Sequence, residues 1–243
     1  MVKAACHIHS DWSYDGKWSL PKLAGEFGQR GYRVLLMTEH DRGFTAARLN
    51  EYRAACAEAS SEAVRVVPGI EYSDASNTLH VLVWGLDSFL GEALPTGELL
   101  KQVKSAGGIA VLAHPSRKEA WKQFDPQWAS YLLGIEVWNR KTDGWAPGKN
   151  AGPLIAGTSL LPFVGMDFHT PRQFFPLVTE LDIEPTITES SVLECLKLRR
   201  CRAMALNRPV TTFLSQGWRR SGLRAVESGR RTAALGLRKL KLG

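Results

Sequence analysis

The chain reads as an α/β fold with enough strand–helix units to favour a barrel over an open sheet. Two observations carry this. Short apolar runs of β-type composition alternate with helical stretches along the 243 residues. Histidines and acids recur at the ends of those runs, where the strands of a barrel share one face.

In chain order, residues 2–8 (VKAACHI) form a first strand. Pro21 to Arg30 suits a helix, with proline in the first turn and Gly31 beyond the end. Residues 33–38 are a second strand, and the alanine-rich stretch 45–62 is helical. Residues 64–70 and 79–84 are further strands. A helix over 97–106 is stopped by Gly107-Gly108, and 109–113 is a strand. A helix over 119–132 leads to a strand over 134–138, and another over 150–160 leads to a strand over 162–166. A strand near 177–183 and a helix near 189–199 precede the C-terminal tail. There is no internal repeat. Composition breaks only near 214–218, which divides the chain into a body, 1–214, and a basic tail, 215–243.

Composition is that of an ordinary globular protein, with 44% hydrophobic and 23% charged residues. No run of about 18 apolar residues exists, so no membrane span is expected. The N-terminal MVKAACHIHS has no signal-peptide pattern, and a cytoplasmic location is the expectation. The cysteines at 6, 56, 195 and 201 form no C-x-x-C pair, and reduced, buried thiols are expected. Strand alternation turns Cys6 away from His7. The formal charge of +7 comes entirely from Trp218 onward, where eight basic residues face one acid, Glu227.

All six histidines (His7, His9, His40, His80, His114 and His169) fall at or just beyond strand ends. Residues two apart on a strand face the same way, so His7 pairs with His9 and Asp167 with His169. Glu71 follows the run VRVVPGI. The pattern gathers imidazoles and carboxylates in one mouth. These are the usual ligands of Zn²⁺, Mn²⁺ and Fe²⁺, and one carboxylate can bridge two cations.

These residues also match a known family. HIHSDWSYDG (7–16), TEH (38–40), PGIEYS (68–73), LHVLVWG (79–85), LAHPS (112–116) and GMDFH (165–169) resemble, in order, the motifs of the PHP family, named for polymerase and histidinol phosphatase. The resemblance runs from about residue 3 to about 208. It implies a distorted seven-stranded, TIM-like β/α barrel holding two or three divalent cations (Zn, Mn or Fe). His7, His9, Glu71 and Asp167 would hold the first. Glu71, as bridge, would hold the second with His80 and His114. Asp15, His40 and His169 would hold the third. It further implies hydrolysis of a phosphate ester by a metal-bridging hydroxide, with Glu71, Asp167 and His169 as the catalytic groups. Glu39 stands where the family has Asp, and Met166 and Phe168 where it has small residues.

A phosphorylated small molecule or nucleotide needs further cations, and Arg117 then Arg140 are the first choices, with Lys141, Asp143 and Arg172 nearby. Trp12, Trp138 and Trp145 sit in or beside the expected mouth and could stack a nucleobase. The tail is either a frayed terminus or a basic amphipathic helix for nucleic acid or another acidic surface, although Gly222, Gly229 and Gly236 weaken a continuous helix. The alternative to an enzyme is a metal-containing module that docks on nucleic acid or a partner through that tail.

Overall fold

The computed structural model describes residues 1–184, 186–215 and 217–240. The tail residues Lys241 and Leu242 and the side chains of 235–240 lie outside the described set.

The elements follow the expected order, with boundaries set by local chemistry. β1 (Val2–Ile8) leads to α1 (Leu20–Gly28), which has a proline in its first turn. β2 (Val34–Met37) and β3 (Glu39–His40) split one expected strand at Thr38, whose N–H donates instead to the Ile8 carbonyl. α2 (Ala46–Ala59) starts at Thr45, whose side chain accepts from the Arg48 N–H. β4 (Arg65–Val67) and β5 (Gly69–Ser73) are parted by Pro68, which has no N–H for the ladder. β6 (His80–Trp84), α3 (Thr96–Ser105), β7 (Ile109–Leu112), β8 (Gly134–Asn139), α4 (Arg140–Asp143), α5 (Ala151–Ile155) and β9 (Leu161–Gly165) follow. The chain then forms β10 (Leu177–Leu181), α6 (Glu189–Lys197), β11 (Cys201–Ala205), β12 (Arg208–Pro209), α7 (Thr211–Leu214) and α8 (Trp218–Leu240).

The strands pair into two six-stranded sheets rather than one closed ladder. Their orders are β12-β11-β10-β1-β2-β4 and β3-β5-β6-β7-β8-β9. The chain is thus a mixed α/β structure of two sheets, and the strand pairing does not by itself close the expected barrel. At Thr38 and at Pro68 the chain passes from the first sheet to the second within a single residue, and it returns through α2 and after β9. β6 also runs antiparallel to both β5 and β7. A short turn suffices between antiparallel strands. Here the Asp74 carboxylate accepts the N–H groups of Thr78 and Leu79, and Asn77 takes φ +52.

Both faces of the central strands are covered, which explains their continuous apolar runs. Ala5, Leu35, Val66, Val83 and Leu112 pack with α1, α2 and α3 through Leu23, Phe27, Tyr52, Leu100 and Val103. Ala4, Cys6, Leu36, Val67, Leu82, Val111 and Phe163 pack with Val192, Cys195 and Leu196 of α6. Among the described residues no helix is long and apolar enough to cross a membrane.

Four segments depart from the sequence reading. The helix expected over 119–132 is two short 3₁₀ turns, Arg117–Gln123 and Pro126–Ser130. Pro126 disfavours a helical Asp125, and that aspartate caps the second turn. The helix expected over 150–160 stops at Ile155, with Gly157 at φ +74. β11, β12 and α7 have no strong pattern of their own and form on tertiary contacts. The tail is one helix despite its glycines, because Glu227 and Arg231 fasten it to the segment 142–145.

Candidate metal centre

The strands deliver their chemistry to one end of the molecule. The β1–β2 register shifts between Cys6 and Ile8, so His7 is an inserted residue and carries φ +62. His9 follows two residues on. Cys6 stays buried in the core beneath, among Val67, Leu82 and Phe163. His40, at the end of β3, lies directly opposite Glu71 on β5. His80 opens the antiparallel strand β6, so the reversed direction brings its start to the same end as the finish of β5. His114 follows β7, and Asp167 and His169 follow β9. His114 and Asp167 also have positive φ, +24 and +48. Such backbone costs about 1–3 kcal/mol per residue, and three adjacent instances point to a functional site.

Glu71 is the hub. Its Oε1 lies 2.7 Å from His80 Nδ1, 2.9 Å from His114 Nε2 and 3.4 Å from His7 Nε2. Its Oε2 lies 3.0 Å from His40 Nδ1 and 3.5 Å from His9 Nε2. Asp15 lies 3.3 Å from His40 Nε2 and 3.1 Å from His169 Nε2. Asp167 Oδ1 is 3.8 Å from both His7 Nε2 and His9 Nε2. All nine residues expected as ligands thus converge. Four triads within them bring their ligand atoms within 4.8 Å of one another: His7/His9/Glu71, Glu71/His80/His114, His7/His114/Asp167 and His9/His40/His169.

The electrostatics suit cations. Desolvation would raise Glu71, yet His80, His7 and other histidines hold it well below the ordinary carboxylate range. Asp167 is held at about 2, against burial, by His7 and Lys141. Burial pushes the His9 imidazole down, and His40 and His169 add to that. His40 goes the other way, to about 10, because Asp15 and Glu71 outweigh its burial.

The residues present fit divalent metal ions. His7 Nε2, His9 Nε2, Asp15 Oδ1, His40 Nε2 and His114 Nδ1 are buried and make no hydrogen bond. Buried polar atoms are rarely left so, and each here is of a type that ligates Zn²⁺, Mn²⁺ or Fe²⁺.

Two acids hold the cluster in shape. Glu136, fully buried, accepts a hydrogen bond from His7 Nδ1 at 2.9 Å, which turns Nε2 toward Glu71 and would leave it free to ligate a cation. It also accepts the His114 N–H at 2.8 Å and Asn139 Nδ2 at 3.0 Å. The sequence reading missed it. Its signal was an acid inside the apolar run GIEVW. Glu39 accepts from Ser10 N at 2.9 Å, Ser10 Oγ at 2.6 Å and Ser13 Oγ at 2.5 Å. Ser13 Oγ in turn lies 3.3 Å from His9 Nδ1, so Glu39 shapes the loop after β1.

A cleft of about 530 Å³ opens over this cluster, lined by Tyr14, Arg117, Lys141 and Thr142 among others. Arg117 donates to the Asn77 carbonyl at 2.8 Å, with Nη1 3.2 Å from His80 Nε2. Lys141 Nζ is 3.3 Å from Asp167 Oδ1 and 3.1 Å from His169 Nε2. Arg140 is placed elsewhere: it donates to the Arg172 carbonyl and lies over Phe175, outside the cleft lining. Arg172 is exposed, and Asp143 is bound to the Asn139 N–H.

The expected tryptophan slot is not formed. Trp138 is core, donating to the Gly144 carbonyl and packed on Phe175 and Phe213. Trp12 packs on Tyr52, and Trp145 lies beneath Arg230. The aromatic ring at the mouth is Tyr14, 70% exposed and stacked on His40.

No family model matches this chain, and no curated protein does either. Solved structures match its fold. PsfC from Pseudomonas syringae aligns over 96% of this chain and 98% of its own, at 16% identity and TM-score 0.61. A candidate metal-dependent phosphoesterase from Bifidobacterium adolescentis aligns over 80% and 94%, at 17% identity and TM-score 0.51. The lesion-specific endonuclease PfuEndoQ from Pyrococcus furiosus aligns over 81% of this chain and 56% of its own, at 15% identity and TM-score 0.58. At these identities the likeness is one of fold: the chain is an α/β structure of a kind shared with these proteins.

Proposed function

We propose that the protein is a metal-dependent phosphoesterase of PHP type, acting on a small phosphomonoester or a nucleotide. The observation that supports this most is the convergence of five imidazoles on the buried Glu71 carboxylate, under a cleft flanked by Arg117 and Lys141. The fold-level likeness to a candidate metal-dependent phosphoesterase and to an endonuclease agrees with it. So do the bonds that carry the end of β9 onto β1, Met166 N to Cys6 O and Phe168 N to His7 O, each 3.0 Å, which are consistent with a distorted seven-stranded barrel. In this reading residues 1–214 are the catalytic body and 215–243 a basic appendage.

His7, His9, Glu71 and Asp167 would hold one cation, Glu71, His80 and His114 a second, and Asp15, His40 and His169 a third. Bound there, divalent cations supply the Lewis acidity that activates water and neutralises charge on a phosphoryl group. The side chains do the rest. Arg117 presents a planar fork to two phosphoryl oxygens, and Lys141 adds a point charge beside Asp167. Nearby histidines hold Glu71, and His7 and Lys141 hold Asp167, below the ordinary carboxylate range, which keeps both ionised as metal ligands need to be. His169 Nδ1 donates to the Asp167 carbonyl at 2.9 Å, which turns Nε2 toward Asp15 and the cleft. Tyr14, stacked on His40, gives the leaving group an aromatic surface.

The test is to load the purified chain with Mn²⁺ or Zn²⁺, measure bound metal by mass spectrometry, and assay p-nitrophenyl phosphate and a nucleotide panel. Bound metal with metal-dependent turnover is expected. A metal-loaded, folded protein that hydrolyses neither class would overturn the proposal.

A further inference from the structure

A second cleft, of about 720 Å³, lies between α8 and the segment 142–150. Thr142 lines both this hollow and the one over the candidate metal ligands, and Ser116 of the second precedes Arg117 of the first. The two hollows therefore adjoin. The basic residues of the second are Lys149, Arg224 and Arg231.

Several donors there lack a hydrogen-bond partner. Arg224 Nε and Nη2 are buried and have no hydrogen-bond partner, and Arg220, one turn earlier on α8, has its Nε in the same state. Ser116 Oγ is likewise buried without a partner. Of the acids that line the hollow, Asp143 lies beside Ser116 and acts on Arg224, and the other two are bound to neighbouring cations. Glu227 is bound by Arg230 and Arg231, and Glu119 by Lys122. Asp143 takes the Asn139 N–H, and burial pushes its carboxyl up to about 7. Buried donors without acceptors are uncommon unless a ligand completes them. Gly148 keeps the wall open, since a Cβ there would come within 2.6 Å of Ser116 Oγ.

We propose that this second cleft is an anion subsite of the same active site, in which Arg224 and Ser116 bind a second phosphate carried by the substrate. A guanidinium with free donors and a neighbouring hydroxyl is a donor set that phosphate recognition uses. The inference rests on the phosphoesterase reading for the identity of the reaction, but not for the binding itself. The second phosphate comes either from a small molecule such as a nucleoside bisphosphate or from the next phosphodiester of a nucleic-acid strand.

Equilibrium binding in chelator, without turnover, separates the two questions. The probes are a fluorescent nucleoside bisphosphate and a fluorescent oligothymidylate, followed by anisotropy with the full chain. Arg224→Ala is expected to weaken binding of at least one probe by about tenfold or more, as for loss of a charge-assisted hydrogen bond. Arg219→Ala, which removes a side chain lying over Trp218 outside this cleft, is the unaffected control. Arg224→Gln, of similar length, must show the same loss if the alanine variant undocks α8. A loss confined to the oligonucleotide identifies the strand as the source, and one confined to the bisphosphate identifies the small molecule. In the metal-loaded enzyme, the ratio of kcat/KM for the responding substrate over p-nitrophenyl phosphate should fall in Arg224→Ala. Wild-type binding of both probes by the Arg224 variants overturns the subsite, even if the enzyme hydrolyses phosphate esters. Loss of binding in a protein that shows no turnover with any ester keeps the subsite and removes the phosphoesterase reading.

Discussion

Glu71 and Glu227 are both buried glutamates ringed by basic side chains, and the rings differ in kind. Arg230 meets Glu227 through two bonds of 2.7 Å, Arg231 through one of 2.6 Å, and the Trp145 N–H adds another at 3.0 Å. Those cations are permanent and lie on α8 itself, while the Trp145 N–H clasps Glu227, and with it α8, to the body. Around Glu71 stand five imidazoles, four of which keep a buried ring nitrogen with no hydrogen-bond partner. A carboxylate whose neighbours are saturated holds structure together. One whose neighbours keep unpartnered ring nitrogens is prepared for something that is added. The unpartnered donors beside Glu227, on Arg220 and Arg224, extend the same logic to an anion.

The contrast can be broken at either carboxylate. The largest effect is expected at the hub side: His9→Ala should reduce turnover to background while circular dichroism stays native. Wild-type turnover in that variant would remove His9 from the mechanism. Next, Glu136→Gln should weaken metal binding by about 10–100-fold, because His7 loses the acceptor that fixes its ring. Chelator competition measures this, and unchanged affinity would make Glu136 a packing residue only.

Third, metal binding should expel a proton. Asp15 and Glu71 hold His40 protonated up to about pH 10, so it is charged at neutral pH and must lose its proton to ligate. Affinity should therefore rise with pH below that value, by about tenfold per unit for each proton released. Titrating Zn²⁺ into weakly buffered protein reads the proton directly, and a pH-independent affinity would contradict the site's charge state. The smallest effect is at Glu227. Glu227→Gln should cost about 1–3 kcal/mol of stability, by denaturant unfolding, without altering metal affinity. Its carboxyl is lowered to about 2, the bonds from Arg230 and Arg231 overcoming desolvation. The stability it contributes should be present above its unfolded value and lost as pH falls toward 2. A change in metal affinity would mean that α8 acts on the centre.

The strands, most of the helices they alternate with, and the gathering of the six histidines, Glu71 and Asp167 were legible along the chain from local periodicity, whereas Asp15 was singled out only by the motif resemblance. H-x-H and D-x-H place pairs of side chains on one face whatever the rest of the fold does. Histidines at strand ends share a mouth once the strands lie side by side. The termini of α1 and α2 were likewise set by neighbouring proline and threonine.

Other features required partners far apart in the chain. Glu136 supports His7 across 129 residues, which no spacing rule can reach. Arg140 and Lys141 are neighbours of equal charge, and only the short helix α4 sends Lys141 into the cleft and Arg140 over Phe175. Trp138 alternates along an apolar strand, and the packing of β8 against Phe213 of α7 settles that it is core. The tail's composition allowed a frayed end or a helix, and the Glu227 contacts with Trp145 and the arginines decide for the helix. Short-range periodicity lets a sequence announce what its strands carry. Which of two adjacent side chains faces a site, and which acid steadies which imidazole, is set only when distant segments exclude water together and must satisfy each other's polar groups.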